Sequence, residues 1–414
     1  MSLVPTAAPS TRSWRAALAW LTSSRVFAAG ADRMTLVALP VFAVQVCGLS
    51  LSQTAVLYSA QTLPGLLALA VGKPLDASAR LRAWCIGADL ARCVILGLLV
   101  AGVATGLRPG WPALLVAAAC LGCGEVVYSV SAQAYLPRVV AGEHLSKANT
   151  WLARTQGLAD VAGLPAAGVL VTTAGPAAAV AMAAAGFAFA AVPQLRLPAS
   201  GPAPAAKPDA PRADERWTAG LFFLLRDRAL RAVIGAMLLL NLGGGMIGAL
   251  WMTHVTRVLR VPADRLGLIM ALGGASALAG SALVGRLLTA WGPRRCVRRA
   301  LPIGVAALGC VPLAAVLPVL PTLAVFQLVF SACAVTIAVA ATTLRQHASP
   351  ARLQARVFAA VRTGQSIVLP ISGLIAAAIT WGFGSEAAMI AGAALAAFAL
   401  PLLPAIGRRA VPAE

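Results

Sequence analysis

Four carboxylates, Asp32, Asp89, Glu125 and Asp160, stand inside stretches that are otherwise apolar or small. A charge at the centre of a membrane helix costs about 2.5–3.5 kcal/mol, so it is kept only where it is paired or where it works. The work open to a carboxyl is to take up and release a proton or to bind a cation. Asp32, in VFAAGADRMTLVALPVFA, has two readings: a proton or cationic-substrate site in a central cavity, or an ion pair with Arg33, Arg92 or a neighbouring helix. Arg33 is adjacent and points roughly 100° away on a helix, which makes it a poor partner. Glu125, in CLGCGEVVYSV, follows Gly122 and Gly124, which thin the helix, and precedes Tyr128 and Ser129 at i+3 and i+4. It reads as a cavity residue or as an internal polar clamp. Asp160 reads as a coupling or gating residue or as a structural partner. Asp89 and Arg92, at i and i+3, can satisfy each other and read as a structural ion pair.

Such residues need elements that hold them at depth. The chain has 414 residues, 60% hydrophobic and 11% charged. A soluble domain carries about 25% charged residues, and this chain has too few polar groups to cover a wetted surface. Apolar stretches of roughly twenty residues recur along its length, each able to cross about 30 Å of hydrocarbon. They predict an all-α polytopic membrane protein with twelve transmembrane helices. The first six fall near 22–46, 53–74, 83–105, 112–136, 150–172 and 175–195. The second six fall near 230–254, 264–287, 298–317, 322–344, 357–380 and 386–406. Between the sets lies SGPAPAAKPDAPRADERW, whose Pro, Ala and charge read as a linker. The stretch 217–229 after it is amphipathic and suits the membrane surface. The expected organisation is a six-helix bundle over 1–195, a cytoplasmic linker with an amphipathic segment over 196–229, and a second six-helix bundle over 230–414. The N-terminal twenty residues show no short apolar core with a small-residue cleavage site, so no cleaved signal peptide is expected.

The net charge of +20 invites a nucleic-acid reading, which position argues against. Counted by connection, 27 of the 33 Lys and Arg fall on one side of the twelve spans. Only Arg108, Arg257, Arg260 and Arg265 fall on the other, and Arg33 and Arg92 lie within spans. This asymmetry places both termini on the cytoplasmic side and accounts for the basic charge without nucleic acid. The eight cysteines include one C-x-x-C pair, Cys120 and Cys123, on a predicted membrane helix with no second ligand pair. His144, His254 and His347 are far apart, so no metal site is expected.

The two halves echo each other. LALAVGKPLDASARLRAW leads from span two to span three, and SALVGRLLTAWGPRRCVRR from span eight to span nine. Leu145 precedes Arg154–Thr155 by nine residues, and Leu353 precedes Arg362–Thr363 by the same nine. Two six-span repeats imply bundles related by an axis along the membrane normal. With these features the chain resembles the major facilitator superfamily, and within it the bacterial drug and siderophore exporters of the drug:proton antiporter branch. The resemblance covers residues 14–406. Its most specific stretch is YSVSAQAYLPRVVAGEHLSKANTWL (128–152), similar to the family's segment between spans four and five. GADLARC (87–93) is similar to the family's pattern opening span three. The family's Asp-Arg in the 2–3 loop is here Asp76–Ala77, and its span-five Gly-Pro-x-x-Gly-Gly is GLPAAG at 163–168.

The resemblance implies an exporter of small amphipathic or hydrophobic organic molecules by proton antiport. An importer or facilitator on the same fold is the alternative. Its energy source would be the proton gradient with no cofactor, its partners the bilayer and a small solute, and its state a monomer without enzymatic activity. The proton-coupling candidates are Asp32, Glu125 and Asp160. The cavity candidates are Asp32, Glu125, Tyr128, Asn241, Met246, Gln327 and Phe330, with Gln365, Trp251 and Phe326 also placed at midplane depth. Asn241 precedes Gly243–Gly245, which suggests a kink or a thin point in span seven. Asp76, Arg80, Arg82 and Arg362 are candidates for a latch between the halves at the cytoplasmic end, with plain topological charge as the other reading.

Overall fold

The computed structural model describes residues 11–67, 78–140, 166–198, 218–349 and 354–407, with 75, 148, 151, 152, 155, 159 and 163 singly. All regular structure among them is helical. The elements are α1 (Thr11–Gln45), α2 (Leu51–Thr62) running into a 3₁₀ turn (Leu63–Leu67), α3 (Leu81–Ala104), α4 (Trp111–Val139) and α5 (Pro176–Gln194). The second half contains α6 (Thr218–Arg226), α7 (Arg228–Arg257), α8 (Ala263–Leu313), α9 (Val319–Ala348), α10 (Gln354–Ala397) and the short α11 (Leu403–Gly407). Eight helices are long and apolar enough to cross a membrane. Two of these cover 49 and 48 residues, too long for one crossing of about 20 residues. Each is two spans joined end to end, broken where Gly292 and Gly384 leave helical geometry at φ 73° and 88°. With α2 and the partly described fifth span, the count is twelve.

Local chemistry sets the ends. Ser50 and Gln53 form a reciprocal capping box at α2, the Gln53 N–H donating to Ser50 Oγ at 3.2 Å and the Ser50 N–H to Gln53 Oε1 at 2.9 Å. Asp227 caps α7 by accepting the N–H groups of Ala229 and Leu230 at 2.8 and 2.9 Å. The amphipathic 217–229 stretch is therefore not one element: α6 ends at Arg226, and Asp227 starts the next span. The glycine run 243–245 does not kink α7, which stays helical from Arg228 to Arg257. It thins the helix instead. A side chain at Gly243 would strike the backbone of Gly392, and one at Gly245 would strike Ser372, so α7 packs tightly on both limbs of α10.

The repeat seen in sequence is also written in the backbone. Gly175 before α5 has φ 88° and ψ 165°, and Gly384, at the corresponding place in the second half, has φ 88° and ψ 168°. At the turn after α1, Val46 and Cys47 N–H bond to the Phe42 carbonyl and Leu49 N–H to Ala43. After α7, Val258 and Leu259 bond to His254 and Val261 to Val255, with the same spacing. Both are left-handed helix terminations. The first uses Gly48 at φ 73°, and the second forces Arg260 to φ 54°. An exposed apolar exterior that includes Leu98, Val116, Phe189 and Phe398 faces outward, with Trp381 and Phe383 87% and 82% exposed next to Gly384.

The paired terminations make opposite predictions from the same physics. Arg260→Gly removes a left-handed non-glycine residue and should raise the melting temperature. Gly48→Ala, whose added carbon meets no atom within 4 Å, should lower it. Each change is about 1 kcal/mol, read by thermal unfolding of the detergent-solubilised protein. Shifts of the same sign in the two variants would contradict this account.

Candidate functional site

A cavity of 350 Å³ lies between the two halves. Leu36, Leu39 and Pro40 of α1 and Thr54, Leu57, Tyr58 and Gln61 of α2 form one wall. Gly244, Trp251 and Met252 of α7 and Phe326, Gln327, Phe330 and Ser331 of α9 form the other. The second wall is aromatic: Trp251 and Phe326 have ring centroids 5.0 Å apart, and Phe326 stacks on Phe330 at 5.4 Å. Trp251 Nε1 is buried and has no hydrogen-bond partner. The Phe330 ring tip lies over Gly244, 3.6 Å from where a side-chain carbon there would stand, an ordinary van der Waals contact.

Beyond the cavity, at the end away from most of the arginines, the halves touch. Arg257 Nη2 donates to the Val44 carbonyl at 2.7 Å, and the Thr54 and Thr253 hydroxyls are 3.4 Å apart. A side chain on Gly373 of α10 would strike Ser59 and the Ala55 carbonyl of α2, so these helices also meet across the interface.

Toward the basic end lies a charged cluster in the first half. Asp32 sits four, seven and eight residues before Leu36, Leu39 and Pro40, which puts it on the cavity-lining stripe of α1, one turn away. Arg92 of α3 reaches across to it, Nη1 donating to Asp32 Oδ1 at 2.9 Å. The other Arg92 terminal nitrogen donates to Asp89 Oδ1. Asp89 Oδ2 accepts from Gln194 Nε2 at 2.6 Å, and the same nitrogen is 2.7 Å from Ser24 Oγ. The guanidinium lies 4.2 Å above the Phe187 ring and 5.2 Å from the Tyr128 ring. Gly124 makes the crossing possible, because a side-chain carbon there would come 2.8 Å from Arg92 Cγ. The Arg92 side chain is 2% exposed and Asp89 0%, whereas Asp32 is 39% exposed. Only Asp32 presents its carboxylate to open space.

Glu125 of α4 is exposed as well, and its electrostatic neighbours are Asp32, Arg92, Arg33 and Arg25. It lies nine residues after Val116, half a helical revolution away from the surface stripe of Val116, Cys120 and Cys123. Its exposure is therefore on the inner side of the bundle.

Several expected positions need correction. Tyr128 does not line the cavity; it is buried against Ala28, Cys85, Ala88 and Ala190, with Arg25 5.4 Å from its ring. Met246 is fully buried beneath the cavity wall where Gly392 packs, and Asn241 lies away from the lining. Arg82 donates to the Leu197 carbonyl at 2.6 Å, which ties α3 to the end of α5 in its own half, not to the other bundle. Arg80 and Arg362 are exposed. Asp76 and Asp160 lie outside the described residues. Gln327 and Phe330 do line the cavity, and Asp32 and Glu125 lie toward its basic end. Sequence reasoning placed span two but missed its cavity face, although Thr54, Tyr58 and Gln61 stand at i, i+4 and i+7. It also missed Gln194, a polar side chain in an apolar span. Among the described residues no group of three His, Cys, Asp or Glu is placed to hold a metal ion.

Removing Arg92 leaves the buried Asp89 carboxylate with Gln194 alone. Arg92→Leu should cost about 3–5 kcal/mol, seen as a large fall in melting temperature or loss of the folded fraction by size-exclusion chromatography. Arg92→Leu combined with Asp89→Asn should recover part of that loss. An unperturbed single variant would show that the pair holds nothing together.

No curated protein sequence matches the chain. Solved structures do, at identities that show the fold alone. The bacterial homologue of the iron transporter ferroportin, in its inward-facing state, has a TM-score of 0.69 at 18% identity, covering 95% of this chain and 99% of that one. The nucleoside transporter NupG gives 0.71 at 12%, covering 94% and 98%. The bacterial homologue of the human lysosomal transporter Spinster, inward-facing and unoccupied, gives 0.74 at 14%, covering 98% and 100%. The model of one family spans residues 21–373, from the start of the charged cluster on α1 to the Gly373 contact on α10. With twelve spans in two repeated halves and a cavity between them, the chain belongs to the Major Facilitator Superfamily.

Proposed function

We propose that this transporter exports small apolar or amphipathic organic molecules by proton antiport across a bacterial inner membrane, with both termini in the cytoplasm. The observation that carries the reading is the juxtaposition of a 350 Å³ apolar, aromatic cavity with one open carboxylate on the same helical stripe. The described lining contains no charged side chain, which suits an uncharged or weakly polar solute. Gln61 and Gln327 supply a few hydrogen bonds for orientation, and the Trp251 ring N–H is a donor still without an acceptor.

Asp32 is the coupling group in this reading. While ionised it shares Arg92 with Asp89. A proton on Asp32 removes one of the two anions that hold the guanidinium, and Arg92 stays with Asp89. The proton thus changes the bond between α1 and α3 and leaves the core pair intact. A ligand or proton shifts a two-state equilibrium only through differential affinity for the two states, and this bond supplies that difference. Glu125 of α4, in the same field, is a second acceptor within the first half. The inward orientation of the basic end follows the positive-inside rule.

A facilitator or importer of an uncharged solute would use the same cavity, and the uncharged lining is the feature that favours it. The two readings separate in proteoliposomes. With an imposed pH gradient, uphill movement of a fluorescent aromatic substrate and its coupled proton flux should both be lost in Asp32→Asn. Solute exchange without a gradient should persist. Full gradient-driven transport by the variant would remove Asp32 from the mechanism, and gradient-independent transport by the unmodified protein would favour the facilitator.

The cavity itself is tested by Phe330→Ala. Loss of the stacked ring should weaken binding of an aromatic substrate by about tenfold, equivalent to about 1.4 kcal/mol, measured by ligand-induced thermal shift. Gln365→Ala, at similar depth but outside the lining, should leave it unchanged. Equal effects of both variants would place the substrate elsewhere.

A further inference from the structure

The turn between the two limbs of α8 concentrates charge to which the proposed transport reading assigns no role. Arg295, Arg298 and Arg299 fall in the first two turns of the second limb, just after the break at Gly292. Two adjoining cavities of 430 and 260 Å³ open there and share Arg295 and Arg298. The larger is completed by Trp291, Leu344 and Gly407, so it joins the basic ends of α8, α9 and α11. Arg299 lies 4.2 Å above the Trp291 ring. A side-chain carbon on Gly407 would come 2.9 Å from Arg298 Nη1, so this guanidinium is laid against α11.

The stretch of sequence that carries these groups holds no acid of its own. From Asp264 to Glu386 the sequence contains no Asp or Glu between those two, and both mark span ends on the opposite side. Among the described residues none of the three arginines meets a carboxylate. Three cations within two turns repel each other, and the positive pole of the limb adds to the repulsion.

We propose that this turn binds the headgroup of an anionic phospholipid. The guanidiniums supply the forked donors that a phosphate accepts. The surface beyond them decides between a lipid and a free phosphate. Four residues past Arg299 comes Ile303, 51% exposed, followed on the same face by exposed Ala306 and Leu313. A charged head therefore gives way, along one helix face, to an apolar lane running in the membrane direction. An amphiphile with a phosphate head and acyl chains matches both parts; inorganic phosphate matches only the first. Basic pockets between spans at the membrane surface are suited to such headgroups.

The test uses the full chain in neutral detergent, titrated with cardiolipin or phosphatidylglycerol and followed by native mass spectrometry and thermal unfolding. The anionic lipids should be retained and should raise the melting temperature, and phosphatidylcholine should do neither. The variant R295Q/R298Q/R299Q should bind cardiolipin at least tenfold more weakly, with R299Q alone intermediate. R108Q/R260Q/R265Q, which removes equal charge at the opposite end, should bind normally. Size-exclusion profiles in phosphatidylcholine nanodiscs check that each variant is folded. Undiminished lipid binding by both R295Q/R298Q/R299Q and R299Q would overturn the proposal. So would equal stabilisation by inorganic phosphate or glycerol 3-phosphate at matched concentration, which would identify a site for the free anion.

Discussion

A guanidinium cannot stand unpaired in the interior of a membrane protein, and the first half of this molecule is arranged around that constraint. The cost of burying such a charge is several kcal/mol unless its donors are met with good geometry. Arg92 meets it at its two terminal nitrogens with two carboxylates and across its faces with two rings, while its Nε has no acceptor among the described residues. Asp89 comes from its own helix, Asp32 from α1, Tyr128 from α4 and Phe187 from α5. Gln194 then satisfies the far oxygen of Asp89, and the same Gln194 nitrogen also donates to Ser24 Oγ. One buried cation thereby fixes the relation of four spans, and it requires a glycine at 124 for its stem to pass. The exposed carboxylate of Asp32 is the one member of the network that can change charge without exposing the rest.

The second half solves a different problem. Its spans hold no central carboxylate, and their contacts are made by thinness. Gly243, Gly245 and Gly392 bring α7 against α10, and Gly373 brings α10 against α2 in the first half. Close backbone approach, with the buried His254–Ser385 hydrogen bond of 2.8 Å between α7 and α10, makes these contacts without a buried ion pair among the described residues. That division suits alternating access. In the proposed cycle Arg92 holds the first half together, and among the described residues the halves meet through hydroxyls, glycine contacts and Arg257 bonded to the backbone carbonyl of Val44.

The twelve spans and the repeat were legible because hydrophobic runs and loop charge act locally, one segment at a time. Asp32 and Glu125 were legible as residues of interest because charge in hydrocarbon is rare. Arg92 was legible as one candidate partner of Asp32, beside Arg33 and a neighbouring helix, but the choice among them was not. Arg92 lies sixty residues from Asp32, and the pairing depends on how α1 and α3 cross, which no local pattern encodes. Tyr128 shows the reverse failure. Its spacing from Glu125 suggests a shared face, but the bulk and flat surface of its ring make it the packing partner of Arg92 and Arg25 inside the bundle. The polar face of α2 was present at Thr54, Tyr58 and Gln61, yet three neutral side chains within an apolar span give a weak signal beside a charge.

The repeat itself shows which features the fold demands and which are free. Backbone geometry is kept between halves to within a few degrees at Gly175 and Gly384. It is also kept at Gly48 and Arg260, although arginine is poorly suited to that conformation. Side-chain chemistry is not kept: the charged network has no counterpart in the second half, and the aromatic wall of Trp251, Phe326 and Phe330 has none in the first. The turns must match because each half threads its six spans through the same path. The interiors need not match, because each half faces its partner with a different task. The cavity lies where these two unlike faces meet, so its character, aromatic on one side and bordered by Asp32 on the other, follows from symmetry held in the backbone and broken in the side chains.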